Sequence, residues 1–238
     1  MKYQKRKKAL ILLADGTIFY GKSVGGKEGT AFGEACFNTG MTGYQEIYTD
    51  PSYAGQVIIN TTAHIGNYGV MQEKEAESNK VQIAGMVCNE FASVHSRETA
   101  DGSLQDYLAN AGNIGISGID TRALVRHIRN KGAMNALISS ENLNLEQLKE
   151  ILKNVPSMEG QELSSKVATK EVYEVKNEDS KYKVALLDFG VKENIIRCLV
   201  DRGCHVKVFP MSSSLVEINQ FQPDGYMLSN GPGDPSVM

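Results

Sequence analysis

Lys183-Val-Ala-Leu-Leu-Asp-Phe-Gly190 reads as one uninterrupted apolar strand running into a turn. A strand that is apolar at every position has both faces covered, which marks a parallel sheet rather than a half-exposed antiparallel one. Outward from it, residues 193–202 carry a helical pattern closed by Gly203, and 204–210 form a second strand. Residues 214–220 form a short helix and 225–229 a third strand. Strand, helix, strand, helix, strand predicts a parallel sheet with right-handed crossovers. Ligands of such sheets bind beyond the carboxyl ends of the strands. On that edge lie Gly190 and, after Asn230, Gly231-Pro-Gly-Asp-Pro235. Two glycines and two prolines make a tight turn poor in side chains, whose backbone N–H groups suit an oxyanion or a carboxylate. An ordinary surface turn is the alternative for that motif taken alone.

Upstream the rhythm differs. Residues 9–14, the turn Asp15-Gly16-Thr17 and residues 18–24 give a hairpin signal. Short apolar runs follow at 34–38, 56–61, 81–88, 114–117 and 134–138. Asp120 is an N-cap for a helix over 121–131, with Leu124 and Ile128 on one face and Gly132 past its end. Asn144, with Gln147 three residues on, resembles a capping box for a helix over 145–155 that points Leu148, Ile151 and Leu152 inward and stops at Pro156. Residues 157–182, rich in Glu, Lys, Asn and Asp, read as an exposed linker. The expected fold class is therefore α/β. A strand-rich α+β domain over 1–156 and a linker over 157–182 precede the first half of a doubly wound parallel-sheet domain over 183–238.

The 238 residues suffice for one large or two ordinary domains, and 41% hydrophobic with 22% charged residues is ordinary for a soluble globular chain. A net charge of −3 gives no electrostatic reason to expect nucleic acid. Lys2, Lys5, Arg6, Lys7 and Lys8 precede a six-residue apolar run, shorter than a signal-peptide core and cut off by Asp15-Gly16, so they read as a basic leader to a first strand. No stretch reaches the roughly 20 apolar residues of a membrane span. Cys36, Cys88, Cys198 and Cys204 are scattered without metal-ligand spacing and read as reduced thiols of a cytoplasmic protein. His64, His95, His127 and His205 are too dispersed for a zinc site, so neither metal nor cofactor is expected. Gly21-Lys-Ser-Val-Gly-Gly26 lacks the strand-to-helix setting of a phosphate loop.

A second dense block consists of Phe37-Asn-Thr-Gly-Met-Thr-Gly-Tyr-Gln-Glu46, Thr49-Asp-Pro-Ser-Tyr53 and His64-Ile-Gly-Asn-Tyr-Gly69. Irregular segments crowded with glycines, aromatics and polar groups suit binding loops, although Asp50-Pro51-Ser52 is also ordinary turn chemistry. With Asp15-Gly-Thr17, Gly118-Ile-Asp-Thr-Arg122, Asp188-Phe-Gly-Val-Lys192, Val200-Asp-Arg-Gly203 and Leu228-Ser-Asn-Gly-Pro-Gly-Asp-Pro235, these motifs occur in an order that resembles the small, glutamine-hydrolysing subunit of carbamoyl-phosphate synthetases. The resemblance covers nearly everything after the basic leader.

The resemblance implies a family-specific N-terminal domain followed by a class I glutamine amidotransferase domain. It implies L-glutamine as substrate and a large partner subunit that consumes the released ammonia with bicarbonate and ATP, making carbamoyl phosphate for pyrimidine and arginine synthesis. Carried over, Ser52 corresponds to the serine that contacts glutamine, with a role confined to capping its own turn as the alternative. Gly231 and Gly233 correspond to the glycines whose backbone binds glutamine and its tetrahedral intermediate. The family's nucleophilic cysteine belongs to a downstream G-x-C-x-G elbow, with histidine and glutamate later still, and none of the four cysteines here has that setting. No catalytic residue is therefore expected within residues 1–238, and this portion alone is expected to be inactive. A non-catalytic docking module for the large subunit is the alternative. A stand-alone amidotransferase of the anthranilate or guanylate type is disfavoured by the N-terminal domain.

Overall fold

The computed structural model describes residues 6–26 and 28–237, so Lys2 and Lys5 of the basic leader and Met238 lie outside the described residues. The chain forms two compact units. One comprises Met1–Thr49, Gly55–Ala76 and Lys80–Ser157, and the other Asp50–Ala54, Glu77–Asn79 and Met158–Met238.

Among the described residues the first unit is built on nine strands: β1 (Lys8–Leu13), β2 (Ile18–Gly25), β3 (Thr30–Asn38), β4 (Val57–Asn60), β5 (His64–Ile65), β6 (Gly85–Val87), β7 (Glu90–Phe91), β8 (Ile114–Ser117) and β9 (Asn135–Ser139). Seven of them close a barrel in the order β1-β2-β8-β6-β4-β3-β9, while β5 and β7 pair separately. The hairpin β1–β2 is antiparallel, as its turn chemistry predicts, whereas β3, β4, β6 and β8 run parallel to one another. Its helices are α1 (Tyr44–Thr49), α2 (Gln72–Glu75), α3 (Leu104–Asn110), α4 (Thr121–Lys131) and α5 (Leu145–Lys153).

Alternation explains why β1 is apolar from Ala9 onward. Ala9, Ile11 and Leu13 join one core with Val57, Ile59, Ile116, Ile138 and the Leu124, Val125 and Ile128 face of α4. Leu10 and Leu12 point the other way, into a second cluster with Leu137 and with Leu148 and Leu152 of α5. Asp120 caps α4 by accepting from the Ala123 N–H at 2.9 Å, and Gly132 closes it at φ 97°. Asn144 caps α5, accepting from the backbone N–H groups of Glu146 and Gln147. Two expectations fail there. Gln147 turns its Oε1 to Asn142 instead of completing a capping box, and Ile151 is exposed because Leu148 and Leu152 already fill the inward face.

The second unit contains α6 (Ser164–Val167), β10 (Tyr173–Val175), β11 (Tyr182–Asp188), α7 (Glu193–Asp201), β12 (Cys204–Pro210), α8 (Leu215–Asn219) and β13 (Gly225–Leu228). Its sheet runs β10-β12-β11-β13, with β11 parallel to both β12 and β13. One face buries Leu186, Val206 and Val208 against Val191 and Ile196, with Ile195 and Leu199 of α7 beside them. The other packs Ala185 and Phe209 on Ile218 of α8. Both faces are thus covered at the centre, as continuous apolar strands require.

The stretch read as a linker carries α6 and the antiparallel edge strand β10. Tyr173 and Val175 alternate around Glu174 and pack on the sheet, while the Glu174 carboxylate takes His205 Nε2 at 2.7 Å and Lys207 Nζ at 2.9 Å. Charged neighbours concealed that three-residue alternation.

Candidate functional site

The second unit gathers its irregular backbone at the carboxyl ends of β11 and β13, which lie side by side in register from Val184 opposite Gly225 to Leu187 opposite Leu228. Asp188, the last residue of β11, is buried and organises the turn that follows. Its Oδ1 accepts from the N–H groups of Gly190 and Val191 at 2.8 Å each, and its Oδ2 from the Thr169 N–H at 2.7 Å. The neighbouring turn is tied to this one: Ser229 Oγ accepts from the Phe189 N–H at 2.9 Å, and the Ser229 N–H donates to the Leu187 carbonyl at 3.1 Å.

Gly231 and Gly233 then follow different rules. A Cβ at Gly231 would lie 2.3 Å from the Phe189 carbonyl oxygen and 2.7 Å from Ser164 Oγ, so only a glycine lets the two turns approach. Gly233 has φ 90°, and a Cβ there would come within 2.5 Å of the Gln161 carbonyl oxygen. Gly233 bridges Glu162, and the Asp234 N–H donates to Gln161 at 2.9 Å. Asp234 closes the loop by accepting from the Gly160 N–H at 2.8 Å.

Ser52 belongs to this same unit through the segment Asp50–Ala54. Pro51–Tyr53 form a 3-10 turn capped by Asp50, whose Oδ1 accepts from the Ser52 N–H at 2.9 Å. The capping is therefore the work of Asp50, and the Ser52 hydroxyl is left for something else. Asp50 Oδ2 pairs with Lys192 Nζ at 3.0 Å. Burial pulls the Lys192 ammonium down, but the hydrogen bond and charge of Asp50 outweigh it and hold its pKa above the usual lysine value. Ser52 Oγ accepts from Asn230 Nδ2 at 2.6 Å, and the same amide donates to the Gly190 carbonyl at 3.0 Å. The structure so brings Ser52, Gly190 and the residue preceding Gly231 together. The sequence reading gave no site role to Asn230, Asp50, Lys192 or Thr169; the first three lie inside the motifs it quoted, and Thr169 left no signal.

A carbamoyl-phosphate synthase small chain CPSase-domain model matches residues 11–138, and a class-I glutamine amidotransferase model matches 185–238. This chain belongs to the carbamoyl-phosphate synthase small chain family. Among curated small chains, that of a Synechococcus strain is 45% identical over all of this chain and 63% of its own length. The Synechocystis small chain is 47% identical over 98% of this chain and 64% of its own, and that of Thermotoga maritima 45% over 98% and 58%. The chain thus spans less than two thirds of the length of these small chains. An aminopeptidase structure from Aneurinibacillus overlaps at TM-score 0.34 and 10% identity, covering 84% of this chain and 48% of its own, too slight a likeness to bear on the fold.

The other two stretches of the second sequence block, Phe37–Glu46 and His64–Gly69, lie within the first unit. Tyr44 and Tyr68 stack with centroids 4.2 Å apart, Tyr68 Oη accepts from the Gly43 N–H at 2.7 Å, and Tyr44 Oη donates to the Gly69 carbonyl at 2.5 Å. Arg97 forks onto Glu75 at 2.5 and 3.0 Å and lies over the Tyr68 ring. These partners serve one another, which is how irregular loops satisfy their polar groups. Cys36 and Cys88 offer no activated thiol. Cys88 is buried, which pushes its pKa up to about 12, and Cys36 is raised by burial and by Glu34. Among the described residues no cluster of His, Cys, Asp or Glu could hold a metal ion, and no helix is long and apolar enough to cross a membrane.

Proposed function

We propose that this chain is the glutamine-holding portion of a carbamoyl-phosphate synthase small subunit, which supplies ammonia from L-glutamine to a large subunit for carbamoyl phosphate synthesis. The observation that carries this reading is the 2.6 Å contact between Ser52 Oγ and the side chain of Asn230, directly before the Gly231-Pro-Gly233 turn. Two segments 178 residues apart in sequence meet at the carboxyl edge of a parallel sheet, where such sheets take their ligands. In this reading the Ser52 hydroxyl and the backbone donors of Gly231 and Gly233 hold glutamine and the charge that develops during its hydrolysis. The chemistry also needs a thiolate and a base, and none of the four cysteines within residues 1–238 is suited to that role. Ammonia release is therefore assigned to the whole subunit with its large partner, in a cytoplasmic pathway toward pyrimidines and arginine.

Two measurements test the proposal. Residues 1–238 should bind L-glutamine yet release no ammonia above background, whereas the complete subunit with its partner should turn glutamine over at an ordinary rate, on the order of 10 s⁻¹. Steady turnover by residues 1–238 alone, or turnover by the complete subunit that is indifferent to Ser52 and Gly231, would refute it.

A further inference from the structure

Asn230 has one carboxamide and two neighbours that constrain it unequally. The Gly190 carbonyl can only accept, so the end of the amide facing it at 3.0 Å must be the NH2 group. The second proton of that same nitrogen points at Ser52 Oγ, 2.6 Å away. Both amide protons are then committed, and Ser52 Oγ is an acceptor toward Asn230. Its backbone N–H is likewise committed, to Asp50 Oδ1 at 2.9 Å. What remains at Ser52 is one lone pair and its hydroxyl proton, and that proton finds no acceptor among the described residues. Asn230 Oδ1 is buried without a partner among the described residues, so Gly190 and Ser52 alone orient the amide.

We propose that Asn230 is a positioning residue that occupies one acceptor lone pair of Ser52 and turns its hydroxyl proton toward the ligand, so that this point of the site favours an acceptor oxygen of the substrate over an N–H or ammonium group. The assignment deepens the glutamine reading and rests on it for the identity of the ligand. A serine hydroxyl on its own donates or accepts as the ligand demands. Tied to an NH2 group that is itself fixed by a backbone carbonyl, it keeps its proton and one lone pair, and its proton has no acceptor but the ligand among the described residues. A ligand presenting a donor there would have to take the remaining lone pair and leave the Ser52 proton without an acceptor, and an unpaired polar group of that kind discriminates at buried polar sites.

The test has two arms. The first needs no ligand. In nuclear magnetic resonance spectra of the chain with its asparagine amides labelled, Ser52→Ala should shift one of the two Asn230 amide protons and leave the other, bound to Gly190, in place. Movement of neither would overturn the proposal. The second arm measures L-glutamine binding. Asn230→Asp replaces the donor by an acceptor, so Ser52 turns its proton inward and glutamine should bind roughly tenfold more weakly. Adding Asn230→Asp to Ser52→Ala should cost nothing further, because the group it positions is already gone. Losses that multiply would show a merely structural role and overturn the proposal. Should Asn230→Asp not fold, Asn230→Ala carries the same cycle, with a smaller loss in the Ser52 background and none in Ser52→Ala. If the amide protons behave as expected but the wild-type chain binds no glutamine, the glutamine reading falls while the donor assignment stands.

Discussion

Single atoms decide the site. Ser52 keeps its hydroxyl proton free because Asp50, not Ser52, caps the 3-10 turn and because Asn230 supplies the donor to Ser52 Oγ. Ser52→Ala should therefore weaken L-glutamine binding by about 0.5–1.5 kcal/mol, the worth of one neutral hydrogen bond, and leave synthesis from free ammonia unchanged. A titration of both variants, beside an ammonia-dependent assay of the complete enzyme, measures it. Gly231 is constrained by space instead of by chemistry. A methyl group 2.3 Å from the Phe189 carbonyl oxygen must push two turns apart, so Gly231→Ala should cost about 1–3 kcal/mol of stability in the second unit. Denaturant unfolding reads that loss directly. Residue type pointed to the glycines, because the backbone needs of a tight turn are written there, whereas Ser52 was singled out by the family resemblance alone. Neither could point to Thr169, whose N–H reaches Asp188 Oδ2 from 19 residues away in sequence.

Between elements, the Asp50–Lys192 pair holds the Ser52 turn to the loop that leads from β11 into α7. Lys192 has its pKa raised in the folded chain, so the stabilising contribution is fully present below the ordinary lysine value of 10.5 and is lost as pH rises through the raised value. The unfolding midpoint of the wild-type chain should accordingly fall in that alkaline window more steeply than that of Lys192→Met, since tyrosine ionisation is common to both. Equal slopes would mean that the pair contributes nothing. Which elements form was largely legible: the hairpin of β1 and β2, the capped helices α4 and α5 and the parallel core of β11, β12 and β13 follow from alternation, caps and apolar runs. What they assemble into was less so. Barrel closure depends on parallel pairings of β4, β6 and β8, strands of three or four residues each, whose partners lie tens of residues away and leave no local trace. The edge strand β10 was lost among charges because only Tyr173 and Val175 signal it.

At the scale of the molecule, the sheet of the second unit ends, among the described residues, on the edge strand β13. β13 pairs with β11 on one side only, and along it Tyr226 is 56% and Leu228 67% exposed. On α8, Leu215 and Val216 are also exposed. A parallel sheet normally hides its strands on both faces and presents few bare edges, because unpaired N–H and C=O groups beside apolar side chains recruit other chains. Residues 1–238 on their own should consequently self-associate as concentration rises, with the amides of β13 exchanging with solvent faster than those of β11, which has a strand on each side. Sedimentation across a concentration series gives the first quantity and amide hydrogen exchange the second. Leu228→Lys sets a solvated charge on the exposed face of the edge strand without touching the site, so it should restore a monomer while leaving the unfolding midpoint within about 0.5 kcal/mol. A wild-type chain that stays monomeric at high concentration, with β13 as protected as β11, would show that this edge is already shielded.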